Sequence, residues 1–127
     1  KYFTEIDFDS HIGLIVSLCD EKETPIAVGR YITQKEDEVS GEGKAGAELA
    51  LLVGEHYQRQ GIGNILLDHL AQIAVTKGVS EFVCYIMPEN SKMLSFLRHS
   101  KYPTNRLQRS ASVISMTVDL SNENKSA

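Results

Sequence analysis

The stretch QRQGIG, at residues 58–63, decides the fold because it separates a buried strand from an amphipathic helix. The apolar run AELALLV at 47–53 precedes it and is typical of a strand buried on both faces. After QRQGIG, apolar residues recur at helical spacing, and Lys77 and Gly78 are expected to mark the end of this helix. A helix N-terminus opened by glycine can bind a phosphate through backbone N–H groups. The spacing alone leaves this function and a tight turn without a ligand equally open.

The remaining apolar patterns predict one α/β (α+β) domain at 1–120, followed by a polar tail at 121–127. Runs at 11–20 and 25–33 surround a short charged turn and predict a β-hairpin. A charged, glycine-rich segment at 34–46 is predicted to be a surface loop or the end of a hairpin. A second buried strand is expected at 80–87, a short helix near 90–97, and a final strand at 112–120 with one wet face. The strand–helix–strand unit at 47–87 predicts a right-handed parallel crossover.

Composition narrows the range of partners. The chain has 127 residues, a net charge of −4 and a pI near 5.5, which argues against nucleic acid and anionic membranes as partners. No apolar run approaches the roughly 20 residues of a membrane helix. Cys19 and Cys84 lie in separate apolar runs and form no CxxC pair, which favours reduced thiols in a cytoplasmic protein. The histidines lack the spacing of metal ligands, so no metal site is predicted. GEGKAG at 41–46 matches a dinucleotide fingerprint only formally, because it leads into a strand.

Residues 53–70 (VGEHYQRQGIGNILLDHL) resemble motif A of the GNAT superfamily of CoA-dependent N-acyltransferases, and 89–103 resemble its motif B. The resemblance implies a mixed, mostly antiparallel twisted sheet flanked by helices. It also implies acetyl-CoA as the cosubstrate, with the pyrophosphate on the amides of the turn and the pantetheine arm paired with the end of the preceding strand. The cofactor-binding residues implied in this way are Leu51, Leu52, Val53, Gln58, Arg59, Gln60, Gly61, Ile62, Gly63, Asn64 and Asn90.

A narrower resemblance concerns the acceptor. TEIDFDSHIGLIVSL at 4–18 is similar to the start of the second strand in bacterial protein-lysine acetyltransferases. This favours a protein lysine over a small-molecule amine as the acceptor, although both stay open. In that group two helices precede the strand and shape the acceptor site, and they have no counterpart in this sequence. Family members often pair through sheet edges, so a homodimer through the strand at 112–120 is considered.

The resemblance also assigns chemical roles. Acyl transfer to an amine needs a base, because a lysine ammonium has a pKa near 10.4 in water. Glu48, in the apolar strand, matches a glutamate of the lysine-modifying group and is the predicted general base. A backbone N–H of Leu52 or Val53 is the expected donor to the thioester carbonyl.

The sequence departs from the family pattern at the place of the catalytic acid. The place of the family's tyrosine acid is occupied by Leu97, while Tyr85 and Tyr102 are predicted to be packing residues. The alternative function is therefore a non-catalytic CoA-binding or protein-interaction module.

Overall fold

The computed structural model describes residues 2–8, 11–19, 21–22, 24–33, 46–58, 61–109 and 112–121. Within these ranges seven strands form one sheet in the order β1-β2-β3-β4-β5-β7-β6. The elements are β1 Tyr2–Phe8, β2 His11–Ser17, β3 Pro25–Thr33, β4 Gly46–Val53, α1 Ile62–Thr76, β5 Glu81–Ile86, α2 Ser91–Arg98, β6 Thr104–Arg109 and β7 Ile114–Asp119, with a 3-10 turn at Glu55–Tyr57. This is the mixed, mostly antiparallel α/β fold that the sequence predicts. The loop predicted at 34–46 lies outside the described residues except for Gly46, and so does the tail from residue 122 onward.

The chain divides into two compact units, and the first comprises Lys1–Ile32 and Leu49–Ile73. Strands β1, β2 and β3 pair antiparallel in this unit, which confirms the predicted hairpin of β2 with β3. Leu66 and Leu70 of α1 are fully buried over Gly29 of β3, where an added Cβ would lie 2.9 Å or less from Leu51, Leu66 and Leu70. The missing side chain of Gly29 therefore lets the helix and strand approach closely.

The second unit comprises Thr33–Glu48 and Ala74–Ala127. Strand β4 pairs parallel with β5 here, with Ala47 opposite Phe82 and Glu48 opposite Val83, as expected of a crossover. Strand β7 pairs antiparallel with both β5 and β6. The core of this unit is built on Phe82 and Val118, which are fully buried.

Two sequence predictions about the last strand were wrong. Strand β7 is not an edge of the sheet, because β6 pairs with its outer side. Its polar face is not uniformly wet either. Thr117 lies between Val83 and Asn105 in the sheet, is buried, and donates its hydroxyl to the Asn105 carbonyl oxygen at 3.4 Å. The pattern TNRLQR of β6 carries one apolar residue in six, so the sequence offered no hydrophobic alternation from which to predict this strand.

Helix α1 ends where the sequence predicts, and helix α2 lies in the segment where a short helix was expected. Helix α1 stops at Thr76, and Gly78 follows with a φ of 87°. Helix α2 is preceded by Asn90, whose side chain accepts a hydrogen bond from the Met93 amide at 3.2 Å and so caps the first turn. In the described part of the chain, neither helix has the length and apolarity needed to cross a bilayer.

Candidate functional site

The end of β4 is tied to the turn that follows it, within the first compact unit. The Gly54 amide donates to the Ile26 carbonyl at 2.7 Å, and the Tyr57 amide donates to the Gly54 carbonyl at 2.9 Å. The side-chain amide of Gln58 then reaches back and donates to the Val53 carbonyl at 3.1 Å. The chain is thus folded onto the end of the strand before the helix begins. The role of the Gln58 side chain, which its motif position did not reveal, is to hold this turn.

Gly61 opens α1 in a left-handed backbone conformation, with a φ of 81°. The Ile65 amide donates to the Gly61 carbonyl at 3.1 Å, which makes this the first hydrogen bond of the helix. The amides of Ile62, Gly63 and Asn64 consequently lack an intrahelical acceptor and lie at the positive end of the helix dipole. Buried Ile62 anchors this first turn to the core, whereas Gly61 and Asn64 are exposed.

The first turn of α1 has the properties required of an anion site. No acidic side chain lies in it. A Cβ added at Gly61 would meet no atom of the described structure within 4 Å, so the space beside the backbone is open. Amides, dipole and open space together suit a phosphate group. Arg59 and Gln60, which the sequence adds to the site, lie outside the described residues.

The three strand residues predicted to bind the cosubstrate differ in their environments. Leu51 packs towards Gly29 and is half-buried. Leu52 exposes 71% of its surface, which is large for an apolar side chain in the middle of a sheet. Val53 is half-buried, and its carbonyl accepts the bond from Gln58. The proposed pairing of this strand end with an extended ligand stays a prediction.

Glu48 belongs to the second compact unit, where it lies opposite Val83 and is half-buried. Burial of Cys84, and secondly the charge of Glu48, raise the pKa of the Cys84 thiol from 9.0 to about 12. The thiol is therefore protonated throughout the neutral range. Because only a thiolate is an effective nucleophile, Cys84 is not suited to carry an acyl group as a covalent intermediate. Glu48, on β4, remains the candidate base.

The second unit also contains the residues taken from motif B. Asn90 has a structural role that the sequence analysis did not assign, since its side-chain oxygen caps α2. Leu97, at the place of the family's tyrosine, is fully buried, and Tyr102 is buried as predicted. Tyr85 is not a packing residue, because 47% of its surface is exposed. It lies near the end of β5, a strand in which the other five residues are buried.

The other polar candidates that the structure describes, Glu55, His56 and His99, are surface residues. Glu55 and His56 are exposed in the turn after β4. His99 is also exposed, and its Nδ1 lies 2.8 Å from the Ser95 carbonyl oxygen of α2. Among the residues that the structure describes, no three histidine, cysteine or acidic side chains are grouped as metal ligands.

The comparisons with known proteins agree with the topology. A family model, described as the acetyltransferase (GNAT) family, matches residues 1–101. The chain is similar to the GNAT domain of PAT from S. lividans, with a TM-score of 0.75 and 28% identity over 92% of this chain and 65% of that one.

Two further structures share the fold at lower identity. The cAMP-binding acyltransferase from Mycobacterium smegmatis gives a TM-score of 0.69 at 23% identity, over 91% of this chain and 33% of that one. The paia N-acetyltransferase from Thermoplasma acidophilum, a complex with coenzyme A, gives 0.65 at 21% identity, over 86% and 59%. This chain therefore spans less than two thirds of each of these three relatives.

Proposed function

Because this chain belongs to the acetyltransferase (GNAT) family, a family of acyltransferases, we propose that it moves an acetyl group from acetyl-CoA to a primary amine. The observation that carries the proposal is the start of α1, where Gly61 with its positive φ presents the first helical amides beside open space. Such a turn suits the pyrophosphate of CoA. The thiols of Cys19 and Cys84 suit a reducing compartment, so we propose the cytoplasm as its location.

The cosubstrate site extends from the end of β4 to the first turn of α1. Backbone amides from Gly61 to Asn64 would hold the pyrophosphate, and Arg59 would add positive charge. The end of β4, from Leu51 to Val53, would pair with the pantetheine arm, and an N–H of Leu52 or Val53 would donate to the thioester oxygen. The hydrogen bond from Gln58 to Val53 supports this arrangement, because it fixes the turn against the end of the strand.

Acetyl-CoA supplies the activated acyl group as a thioester, and the chain supplies the base. Glu48 takes the proton of the acceptor ammonium, so that the neutral nitrogen can attack the thioester carbonyl carbon. A C–N bond forms, the C–S bond breaks, and the sulfur leaves as a thiolate. As the amide forms, the attacking nitrogen releases its second proton, and water carries that proton to the thiolate, since Leu97 stands where the resemblance places a tyrosine acid. The protonated Cys84 thiol supports this direct attack over a route through an acyl-cysteine.

The cosubstrate site is tested by calorimetric titration of CoA and acetyl-CoA into the parent chain and into Gly61→Glu. We expect binding in the parent and its loss in the variant, because the new carboxylate occupies the pyrophosphate position. Gly78→Glu is the matched control. Gly78 has nearly the same φ, 87°, and the same open space at its Cβ, but follows the other end of α1. Equal loss in both variants, or equal binding in both, would contradict the proposed site.

The chemical step is tested with Glu48→Gln, which keeps the shape of the side chain but cannot take a proton. Turnover of a lysine-containing peptide should fall by about 10²- to 10⁴-fold. The affinity for CoA should not change. Unchanged turnover would exclude Glu48 as the base.

A second function is favoured by one observation. Leu97 is fully buried at the place where the resemblance puts the catalytic acid, so a non-catalytic CoA-binding or protein-interaction module is the alternative. CoA binding that depends on Gly61, without turnover of any lysine peptide or small amine, would favour this alternative. The acceptor, protein lysine or small molecule, is distinguished by the same assay.

A further inference from the structure

Tyr85 is an exposed aromatic side chain on an otherwise buried strand. In β5 the residues from Glu81 to Cys84 are buried, and so is Ile86, whereas Tyr85 exposes 47% of its surface. An aromatic ring is a large apolar group, and its removal from water is favourable. An exposed ring at this place is therefore available to contact a ligand.

The sheet register places Tyr85 on the same face as Glu48. Glu48 lies directly opposite Val83 in the parallel pair of β4 with β5, so their side chains project to one side. Tyr85 is two residues beyond Val83, and side chains alternate along a strand, so it projects to that side too. Glu48 and Tyr85 belong to the same compact unit.

The separation of the two residues suits a small cationic group. Strands are spaced about 4.8 Å apart, and residues rise about 3.3 Å along a strand, which places the two Cα atoms about 8 Å apart. The residue opposite Tyr85 on β7 is the small Ser115. A carboxylate and an aromatic ring at this spacing can both contact one primary ammonium and the methylene groups that carry it.

We infer that Tyr85 and Glu48 form the acceptor subsite, and that it takes an alkylammonium group such as a lysine side chain. The inference rests on the proposed function and extends it by naming the substrate class and a specificity-determining residue. Glu48 faces the ammonium and later takes its proton. Tyr85 contacts the ammonium and the adjoining methylene groups with its ring, so the ring and not the hydroxyl is the recognition element. An aryl amine, which is neutral and has no methylene stem, lacks both interactions.

The subsite is tested without turnover, by NMR titration of the 127-residue chain with Nα-acetyl-lysinamide. Nα-acetyl-norleucinamide is the matched control ligand, because it has the same stem without the ammonium. The parent should bind the lysine compound saturably and more tightly than the norleucine compound. Tyr85→Ala should raise the dissociation constant for the lysine compound about fivefold, whereas Tyr85→Phe should stay within twofold of the parent. Glu48→Gln should weaken binding of the lysine compound but not of the norleucine compound.

Val75→Ala is the control substitution, since Val75 is an exposed apolar side chain in the same compact unit but on α1. It should leave the titration unchanged, and thermal unfolding should show that every variant is folded. Equal affinity of Tyr85→Ala and the parent, equal loss in Tyr85→Phe and Tyr85→Ala, or no preference for the ammonium would overturn the inference.

The titration and the turnover assay separate the two proposals. If Tyr85→Ala turned over lysine peptides as fast as the parent, the acceptor subsite would be contradicted and the proposed function would stand. Binding of the lysine compound that depends on Tyr85, in a chain without turnover, would support the subsite and refute the catalytic function.

Discussion

Replacement of Gly29 by alanine should destabilise the first compact unit, and the structure sets the size of the effect. The new methyl group would lie 2.8 Å from Leu51 Cδ2, 2.8 Å from Leu70 Cδ1 and 2.9 Å from Leu66 Cγ. Ordinary contacts begin at 3.4 Å, so the two closest carbons would each have to retreat by about 0.6 Å. Leu66 and Leu70 are fully buried, which leaves them little room to move.

The substitution Gly29→Ala changes the free energy of unfolding through two effects of opposite sign. Overpacking of a core costs about 1–3 kcal/mol, whereas removal of a glycine from a strand returns about 0.5–1 kcal/mol. The net result for Gly29→Ala is a free energy of unfolding lowered by up to about 2.5 kcal/mol. Gly13→Ala is the matched control on the neighbouring strand, because a Cβ there meets no described atom within 4 Å. It should raise stability by about 0.5 kcal/mol.

Urea unfolding followed by circular dichroism measures both effects, since the midpoint and the slope give the free energy of unfolding. The two variants should move the midpoint in opposite directions at an unchanged slope. If Gly29→Ala were as stable as Gly13→Ala, the close approach of α1 to β3 would not be present in the folded protein.

Three further perturbations follow from side chains in the second compact unit. Between pH 9 and 12 the unfolded chain releases the Cys84 proton before the folded one does, so the free energy of unfolding should fall as pH rises, by about 2 kcal/mol at pH 10.5. Urea titrations at several pH values should show a shallower fall in Cys84→Ala than in the parent. Equal dependence of the free energy on pH in the two proteins would contradict the raised pKa. Asn90→Ala should lower the free energy of unfolding by about 1 kcal/mol through loss of the α2 cap, while Asn90→Asp should retain most of it; equal losses in the two variants would show that the cap is not the cause. Leu97→Tyr should destabilise the protein by about 1–3 kcal/mol without raising acetyl-transfer rates, because the site is fully buried; a faster enzyme would show instead that position 97 reaches the thioester.

Local chemistry made much of the fold predictable. The apolar run before QRQGIG and the helical spacing after it predict β4 and α1, and the structure has both. The hairpin of β2 with β3 was equally visible, because two β-branched runs surround a short polar turn. Strand β6 was not visible, since its side chains are mostly polar and its place is set by hydrogen bonds to β7.

The sequence by itself determined the family, the strand–turn–helix unit and the position of the glycine turn, because these depend on residues adjacent in the chain. Only the tertiary structure decided that Gln58 holds the end of β4, that Asn90 caps α2 and that Leu97 is buried. It also decided that Tyr85 is exposed on the same face of the sheet as Glu48. No local pattern in the sequence shows that these two residues share a face. The physical reason is that strand register brings together residues far apart in the chain, and that register is set by the pairing of whole strands and their burial, not by the neighbours of any one residue in the sequence.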